Sequence, residues 1–256
     1  MMTNIKAFSN QKGGVGKTTS AINIAASLGA LGKKVLLVDL DPQGNGTSGI
    51  GVDREKCEIT AYEVLTENAD PVKAVVQTEF PGLFCLPSSL NLAGADIILS
   101  QGEKRERALA DALARLEEMQ FDEIILDCPP SLGLLTINAL TAAKEVIVPM
   151  QCEYFALEGL SQLMYTVELV RKMYNPSLAL GGVILTMFDG RLNLSLAVAE
   201  EIKRYFPGKV YRNTVPRNVR LSEAPSYGKP ALYYDKYSKG ALAYLEIAKE
   251  MNAQSK

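Results

Sequence analysis

The stretch that most constrains this chain is Gln11-Lys12-Gly13-Gly14-Val15-Gly16-Lys17-Thr18-Thr19. An apolar run with Ile5, Ala7 and Phe8 precedes it, and a helical pattern of Ala21, Ile22, Ile24, Ala25 and Leu28 follows it. Strand, glycine loop and helix are the context that a phosphate-binding loop requires. The glycines let the backbone wrap closely round an anion with its N–H groups turned inward. A helix beginning near Gly16 adds the positive end of its dipole. Lys17 is then expected to reach the β- and γ-phosphates, and the Thr18 hydroxyl to ligate Mg²⁺. A glycine-rich turn with a surface lysine is the bland alternative, and it leaves the flanking strand and helix unexplained.

The next motif is Val35-Leu36-Leu37-Val38-Asp39-Leu40-Asp41-Pro42-Gln43-Gly44-Asn45. A continuous apolar run ending in acids and turn residues reads as a buried parallel strand. Ligands of open α/β sheets sit outside the carboxyl ends of strands, where Asp39 and Asp41 fall. Residues 44–51 read as a flexible glycine-rich loop, and residues 60–77 as short helices. Leu83-Phe84-Cys85-Leu86-Pro87 reads as a strand, with two helical stretches after it, the second over about 103–119. Ile124-Ile125-Leu126-Asp127 has the Walker B form, whose carboxylate helps to hold Mg²⁺ through a water. Strands at 146–149 and 180–187 alternate with helices at 156–174 and 193–205. A last helix, 238–251, is expected to bury Leu242, Leu245, Ala248 and Met251. With no internal repeat or linker, the pattern implies a single domain over 1–256. It is an α/β fold: a doubly wound, mostly parallel sheet with helices on both faces.

Composition narrows the chemistry. Apolar residues make up 47% of the 256, enough for a substantial core, and the formal charge is −2. No apolar run approaches the roughly 20 residues needed to span a bilayer. There is no histidine, which excludes histidine acid–base catalysis and histidine metal ligation. Four scattered cysteines, Cys57, Cys85, Cys128 and Cys152, and an N-terminus without a signal-peptide layout lead us to expect a reduced, cytoplasmic protein.

Lys12 sets the glycine loop apart, because a second lysine stands at its entrance and Gln11 replaces the usual first glycine. This is a deviant Walker A loop, and Lys12-Gly13-Gly14-Val15-Gly16-Lys17-Thr18-Thr19 resembles that of the ParA/MinD group of ATPases. The resemblance extends through V-D-L-D-P-Q-G-N at 38–45, L-D-C-P-P-S at 126–131, Q-C-E-Y-F-A-L-E-G at 151–159 and V-P-R-N-V-R-L-S-E-A-P at 215–225. These motifs are similar to the ParA/Soj chromosome- and plasmid-partitioning ATPases over essentially residues 3–250.

That resemblance implies ATP and Mg²⁺ as cofactors and slow hydrolysis coupled to dimerisation. It implies that Lys12 crosses a homodimer interface to the partner's nucleotide. Gly13, Gly14, Val15, Gly16, Lys17, Thr18 and Thr19 would bind phosphates, with Thr18 on Mg²⁺. Asp41 would position or activate the attacking water and share the metal site with Thr18 and Asp127, and Asp127 would be the Walker B acid. Pro216 and Asn218 lie where the family grips adenine. Arginines at the places of Arg191 and Arg220 would bind DNA without base readout, and a ParB-type centromere-binding partner would stimulate hydrolysis at the nucleoid. The residues add their own support, since segment 203–229 has seven basic residues against the one acid Glu223, a local charge of +6.

Three other readings compete. A MinD-like membrane-positioning ATPase needs a basic amphipathic tail, whereas the helix ending near Met251 is mixed in charge. An iron–sulfur reductase of the nitrogenase iron-protein type needs cysteines with cluster spacing, which these four lack. A metabolic kinase needs an acceptor pocket that motifs alone do not reveal.

Overall fold

In this computed structural model, residues 3–153 and 156–254 are described; the motif residues Tyr154 and Phe155 lie outside them. The strands are β1 (Asn4–Phe8), β2 (Val35–Asp39), β3 (Val76–Gln77), β4 (Leu83–Leu86), β5 (Glu123–Asp127), β6 (Glu145–Gln151) and β7 (Ala179–Thr186). They form one sheet in the order β3-β4-β2-β5-β1-β6-β7. Every pairing is parallel except β3 with β4. β1 sits between β5 and β6, where the chain's strand order reverses. The glycine loop leaves the carboxyl end of that strand, the place where open α/β sheets bind ligands.

The helices are α1 (Lys17–Ala30), α2 (Asn45–Ser48), α3 (Ala61–Thr66), α4 (Pro71–Ala74), α5 (Ala95–Ser100) and α6 (Ala108–Ala114). They continue with α7 (Leu134–Ala142), α8 (Ala156–Met173), α9 (Asn193–Tyr205), α10 (Val219–Glu223), α11 (Ala231–Tyr234) and α12 (Lys239–Gln254). Side chains alternate across a strand, so each buried strand feeds two cores. Val35 and Leu37 of β2 pack with α1 and α12, while Leu36 and Val38 pack under α3, α5, α6 and α7. Ile125 and Ile147 join the first core, and Ile124, Leu126, Val146 and Val148 the second. The doubly wound expectation is met.

Four local expectations change. Residues 44–51 are not a loose loop: Gly44 takes a left-handed turn (φ 67°) into α2, and Thr47 is buried. The helix expected over 103–119 shrinks to α6, because the buried Asn138 side chain takes the Leu109 N–H and donates to the Arg105 carbonyl. Asn138 belongs to α7, a helix that the sequence reading passed over. Its residues, Leu-Leu-Thr-Ile-Asn-Ala-Leu-Thr-Ala, are apolar nearly all round and lack the one-sided period that marks a surface helix. In α12 it is Ala241, Tyr244, Ile247, Ala248 and Met251 that face the core, whereas Leu242 is exposed.

α1 is unusually well buried because Gly29 lets it lie against the 81–82 turn. A Cβ at Gly29 would come well inside van der Waals contact distance of the Pro81 carbonyl oxygen. Gly29→Ala should therefore destabilise the fold by about 1–3 kcal/mol through overpacking. Gly94→Ala, where a Cβ meets nothing, should stay within about 0.5 kcal/mol of the parent. Urea unfolding of the two variants checks the contrast, and equal effects would refute it.

Candidate nucleotide-binding site

The glycine loop closes on itself at the mouth of β1. Gly14 (φ 73°) and Gly16 (φ 84°) hold left-handed conformations that side chains resist, and Gly16 caps α1. Lys17, the first residue of α1, is 7% exposed, and its ammonium donates to the Lys12 carbonyl at 3.2 Å. Burial lowers the Lys17 pKa, while the carboxylates of Asp127 and Asp41 and the Cys128 thiol pull it back up. The ammonium is thus held among acids at the place where phosphate oxygens would arrive.

Two of those acids stand side by side. Asp39 and Asp127 are register partners at the ends of β2 and β5, and both are fully buried. Asp39 is well satisfied: its Oδ2 accepts from the Thr47 N–H and hydroxyl, each at 2.7 Å, and its Oδ1 from the Asp41 N–H at 3.1 Å. Even so, burial pushes it up to about 6, against the pull of those hydrogen bonds. Neither Asp127 oxygen has a hydrogen-bond partner among the described residues. Burial, then the Asp39 charge, raises Asp127 well above the ordinary carboxylate range, and the nearby Thr18 hydroxyl only softens the rise.

A buried carboxylate with no donor is costly unless a cation or water completes it. Asp127 and Thr18 therefore fit Mg²⁺. That ion asks for few protein ligands and keeps waters and phosphate oxygens for the rest. When bound, the ion would neutralise phosphate charge.

Asp41 lies two residues beyond Asp39, past the end of β2. Its Oδ1 accepts from the Gln43 N–H, and the Ser88 hydroxyl donates to its carbonyl at 2.6 Å. A cleft of about 720 Å³ opens from the loop. Gly16, Thr18 and Thr19 line one side of it, and Pro216, Asn218 and Leu221 the other. The base-side residues expected from the motifs thus meet the phosphate-side residues in one cavity. Asn218 caps α10, its Oδ1 accepting the Arg220 N–H at 2.9 Å, and its amide N–H₂ makes no hydrogen bond among the described residues.

A family model described as an AAA domain matches residues 3–180. The chain is 53% identical to the sporulation initiation inhibitor protein Soj of Bacillus subtilis over 252 residues, 98% of this chain and 99% of that one. It is 50% identical to the chromosome partitioning protein ParA of Caulobacter vibrioides, covering 96% and 93%. The chain belongs to the ParA/Soj family of partitioning ATPases. A solved structure titled cobyrinic acid a,c-diamide synthase from Mycobacterium smegmatis, with bound ADP and magnesium, is 41% identical over 97% of this chain and 93% of that one, with a TM-score of 0.84.

Within this ParA/Soj frame, Lys12 stands apart from the cleft. Its side chain is 45% exposed and ion-pairs with Glu153 of the same chain. Arg191 and Arg220 lie outside the cleft too, each on an acidic neighbour. Asp189 takes Arg191 bidentately, at 2.9 and 2.7 Å. Glu223 and Asp235 take Arg220 at 2.8 and 3.3 Å. Thr47, Ser88, Gln151 and Thr186 were missed as site residues. Gln151 stood in a quoted motif without a role, and no local pattern marked the other three. The cysteines give no support to a cluster: burial raises the thiols of Cys85, Cys128 and Cys152, the last to about 11.

The acid pair sets a pH dependence. An unfolded Asp titrates near 3.8, and both groups are raised in the folded chain. The folded state therefore holds extra protons above about pH 4, and stability falls as pH rises through about 6. Without nucleotide, the wild type should lose on the order of 1 kcal/mol more than Asp39→Asn between about pH 5 and pH 7. Urea melts at the two pH values measure it, and an identical pH trend in the variant would contradict the assignment.

Proposed function

We propose that this chain is the ATP-driven switch of a DNA-partitioning system. It is an ATPase with ATP as substrate and Mg²⁺ as its metal. Gly13 to Thr19 cradle the phosphates, Thr18 and Asp127 hold the metal, Asp41 orients the attacking water, and Pro216 and Asn218 receive the adenine. Phosphoryl transfer is mostly positioning and charge neutralisation, so these parts suffice for the chemistry if one more cation arrives. The observation that carries the reading is the placement of Lys12: a half-exposed cation beside a site that already has Lys17. A half-exposed lysine held only by a surface ion pair to Glu153 is compatible with being lent to a neighbouring chain, which supports the reading. Two chains related by a two-fold axis, each lending Lys12 to the other's nucleotide, would make hydrolysis wait for assembly. A slow, assembly-gated ATPase suits a timer.

The cargo side rests on charge. Segment 203–229 carries +6 in a chain of net charge −2. The acids on Arg191 and Arg220 do not close this surface, since exposed ion pairs contribute only about 0–1 kcal/mol and phosphates can displace them. The occupant is double-stranded DNA bound without base readout, and a ParB-type protein stimulates hydrolysis, which places the protein on the nucleoid in the cytoplasm. The membrane-positioning alternative gains little from α12: Ala241, Tyr244, Ile247, Ala248 and Met251 pack into the core with α1, and Leu242 is left exposed among mixed charges. No helix among the described residues is long and apolar enough to cross a membrane.

Lys17→Ala should lower ATP affinity at least about tenfold, whereas Asp41→Ala should bind ATP and hydrolyse it poorly. Equal loss of ATP binding in both, by equilibrium titration, would contradict the separate roles. Asp41→Ala with ATP should sediment as a dimer at micromolar concentration, and adding Lys12→Ala should weaken that dimer.

DNA retention of Asp41→Ala should require ATP. Removing Arg220 should reduce the slope of log affinity against log salt by roughly 0.9 per subunit, or about 1.8 per dimer, with all DNA sequences affected alike. An Arg191→Ala/Arg220→Ala double variant that dimerises normally and binds DNA with unchanged affinity and salt dependence would sink the DNA reading.

A further inference from the structure

A glycine loop that turns its N–H groups toward an anion must turn carbonyls the other way, and those carbonyls need partners. Three outward carbonyls of this loop have one. The Lys12 carbonyl accepts from Lys17 Nζ, the Gly14 carbonyl from Gln151 Nε2 at 3.2 Å, and the Val15 carbonyl from the Thr186 hydroxyl at 2.7 Å. These ties differ in kind. The Lys17 tie comes from within the motif itself, from an ammonium that would share its three donors with phosphate. The other two come from outside the loop, and their donors belong to a rigid element: Gln151 and Thr186 are register partners on the last rung of β6 and β7.

We propose that Thr186 and Gln151 are positioning residues for ATP and ADP, holding two consecutive carbonyls of the loop so that its amides are already aimed at the phosphates. Thr186 is the stronger of the two. It is 2% exposed, Val15 is 1% exposed, and no water competes for the bond. The methyl group of Thr186 also sits where a Cβ on Gly16 would come to within 3.8 Å, so the same side chain flanks the left-handed residue that starts α1. The next residue, Met187, has φ 49°, which a non-glycine residue holds only when its surroundings impose it. Gln151 Nε2 touches Met187 Sδ as well as the Gly14 carbonyl, so the two strand ends and the loop share one set of contacts. Glycine-rich segments lose the most freedom on ordering. Ordering this one before nucleotide arrives removes that cost from binding.

The test is steady-state ATPase kinetics together with direct ADP titration on the full chain. It compares wild type, Thr186→Val, Thr186→Ser and Gln151→Leu. Thr186→Val keeps the shape and deletes the donor. It should raise the KM for ATP and the Kd for ADP together by roughly tenfold, with kcat within about twofold, the pattern of lost uniform binding. Thr186→Ser, which restores the hydroxyl, should recover most of the affinity. Gln151→Leu, at a half-buried site with a longer bond, should show the same pattern at about threefold. The proposal is overturned if Thr186→Val binds ATP and ADP as wild type does, or if Val and Ser variants are equally impaired. Should Thr186→Val fail to fold, Gln151→Leu decides: unchanged KM and Kd there would overturn it as well.

Discussion

Two buried carboxylates on neighbouring strands, with the Lys17 ammonium acting on one of them, are the constraint round which the site is built. Asp39 and Asp127 face the same small volume, and like charges this close in a low-dielectric place resist joint ionisation. The chain relieves one of them with backbone. Asp39 draws in Thr47 and the Asp41 N–H, and Thr47 Oγ1 in turn accepts from the Ser88 N–H. Gly46 must lack a side chain, because a Cβ there would come within 2.9 Å of Asp39 and 3.2 Å of Asp127. Segment 44–48 is therefore laid directly over the acid pair. Any cation that settles on Asp127 alters the charge felt by Asp39, and so the grip on Thr47 and on the turn that carries Asp41. Metal binding and the geometry at Asp41 are thereby one electrostatic problem.

The other end of the sheet handles buried charge in the opposite way. Lys6, on the central strand, is 1% exposed and lies 2.7 Å from Glu123 and 3.6 Å from Glu145, on the two flanking strands. Here each ion has its partner inside the chain, and truncating one would strand the others. The amino end of the sheet is thus electrostatically closed, whereas the carboxyl end is left open for a ligand to complete. At the site the chain leaves the buried Asp127 carboxyl without a hydrogen-bond partner among the described residues, as expected where function and stability compete.

Much of this was legible in the sequence, for identifiable reasons. The glycine loop, the acids at strand ends and the parallel sheet announce themselves locally, through spacing and apolar runs. What escaped depended on distant partners. Thr186 is an ordinary residue at the end of an apolar strand until the fold brings it against a carbonyl 171 positions earlier in the chain. Residues 44–51 look loose because glycine and polar residues dominate them, and only the buried Asp39 carboxylate makes them a helical turn. α6 is shortened by Asn138, a polar side chain whose reach across two elements no window of sequence contains. Leu242 was misplaced by counting leucines rather than turns: alanine and tyrosine supply the α12 face that meets α1.

The proposed switch depends on modest energies. An arginine such as Arg220 already has two acidic neighbours, so exchanging them for a DNA phosphate gains little for a single chain. Breaking exposed pairs costs little as well, about 0–1 kcal/mol each. A monomer is then left with a weak, salt-sensitive affinity. Joining two chains doubles the free energy of the contacts, which squares the association constant, with one ordering cost instead of two. Weak contacts per chain are therefore an advantage: they leave the monomer free and let assembly alone decide retention. Stronger arginine contacts would hold DNA in every nucleotide state, and the nucleotide would no longer control anything.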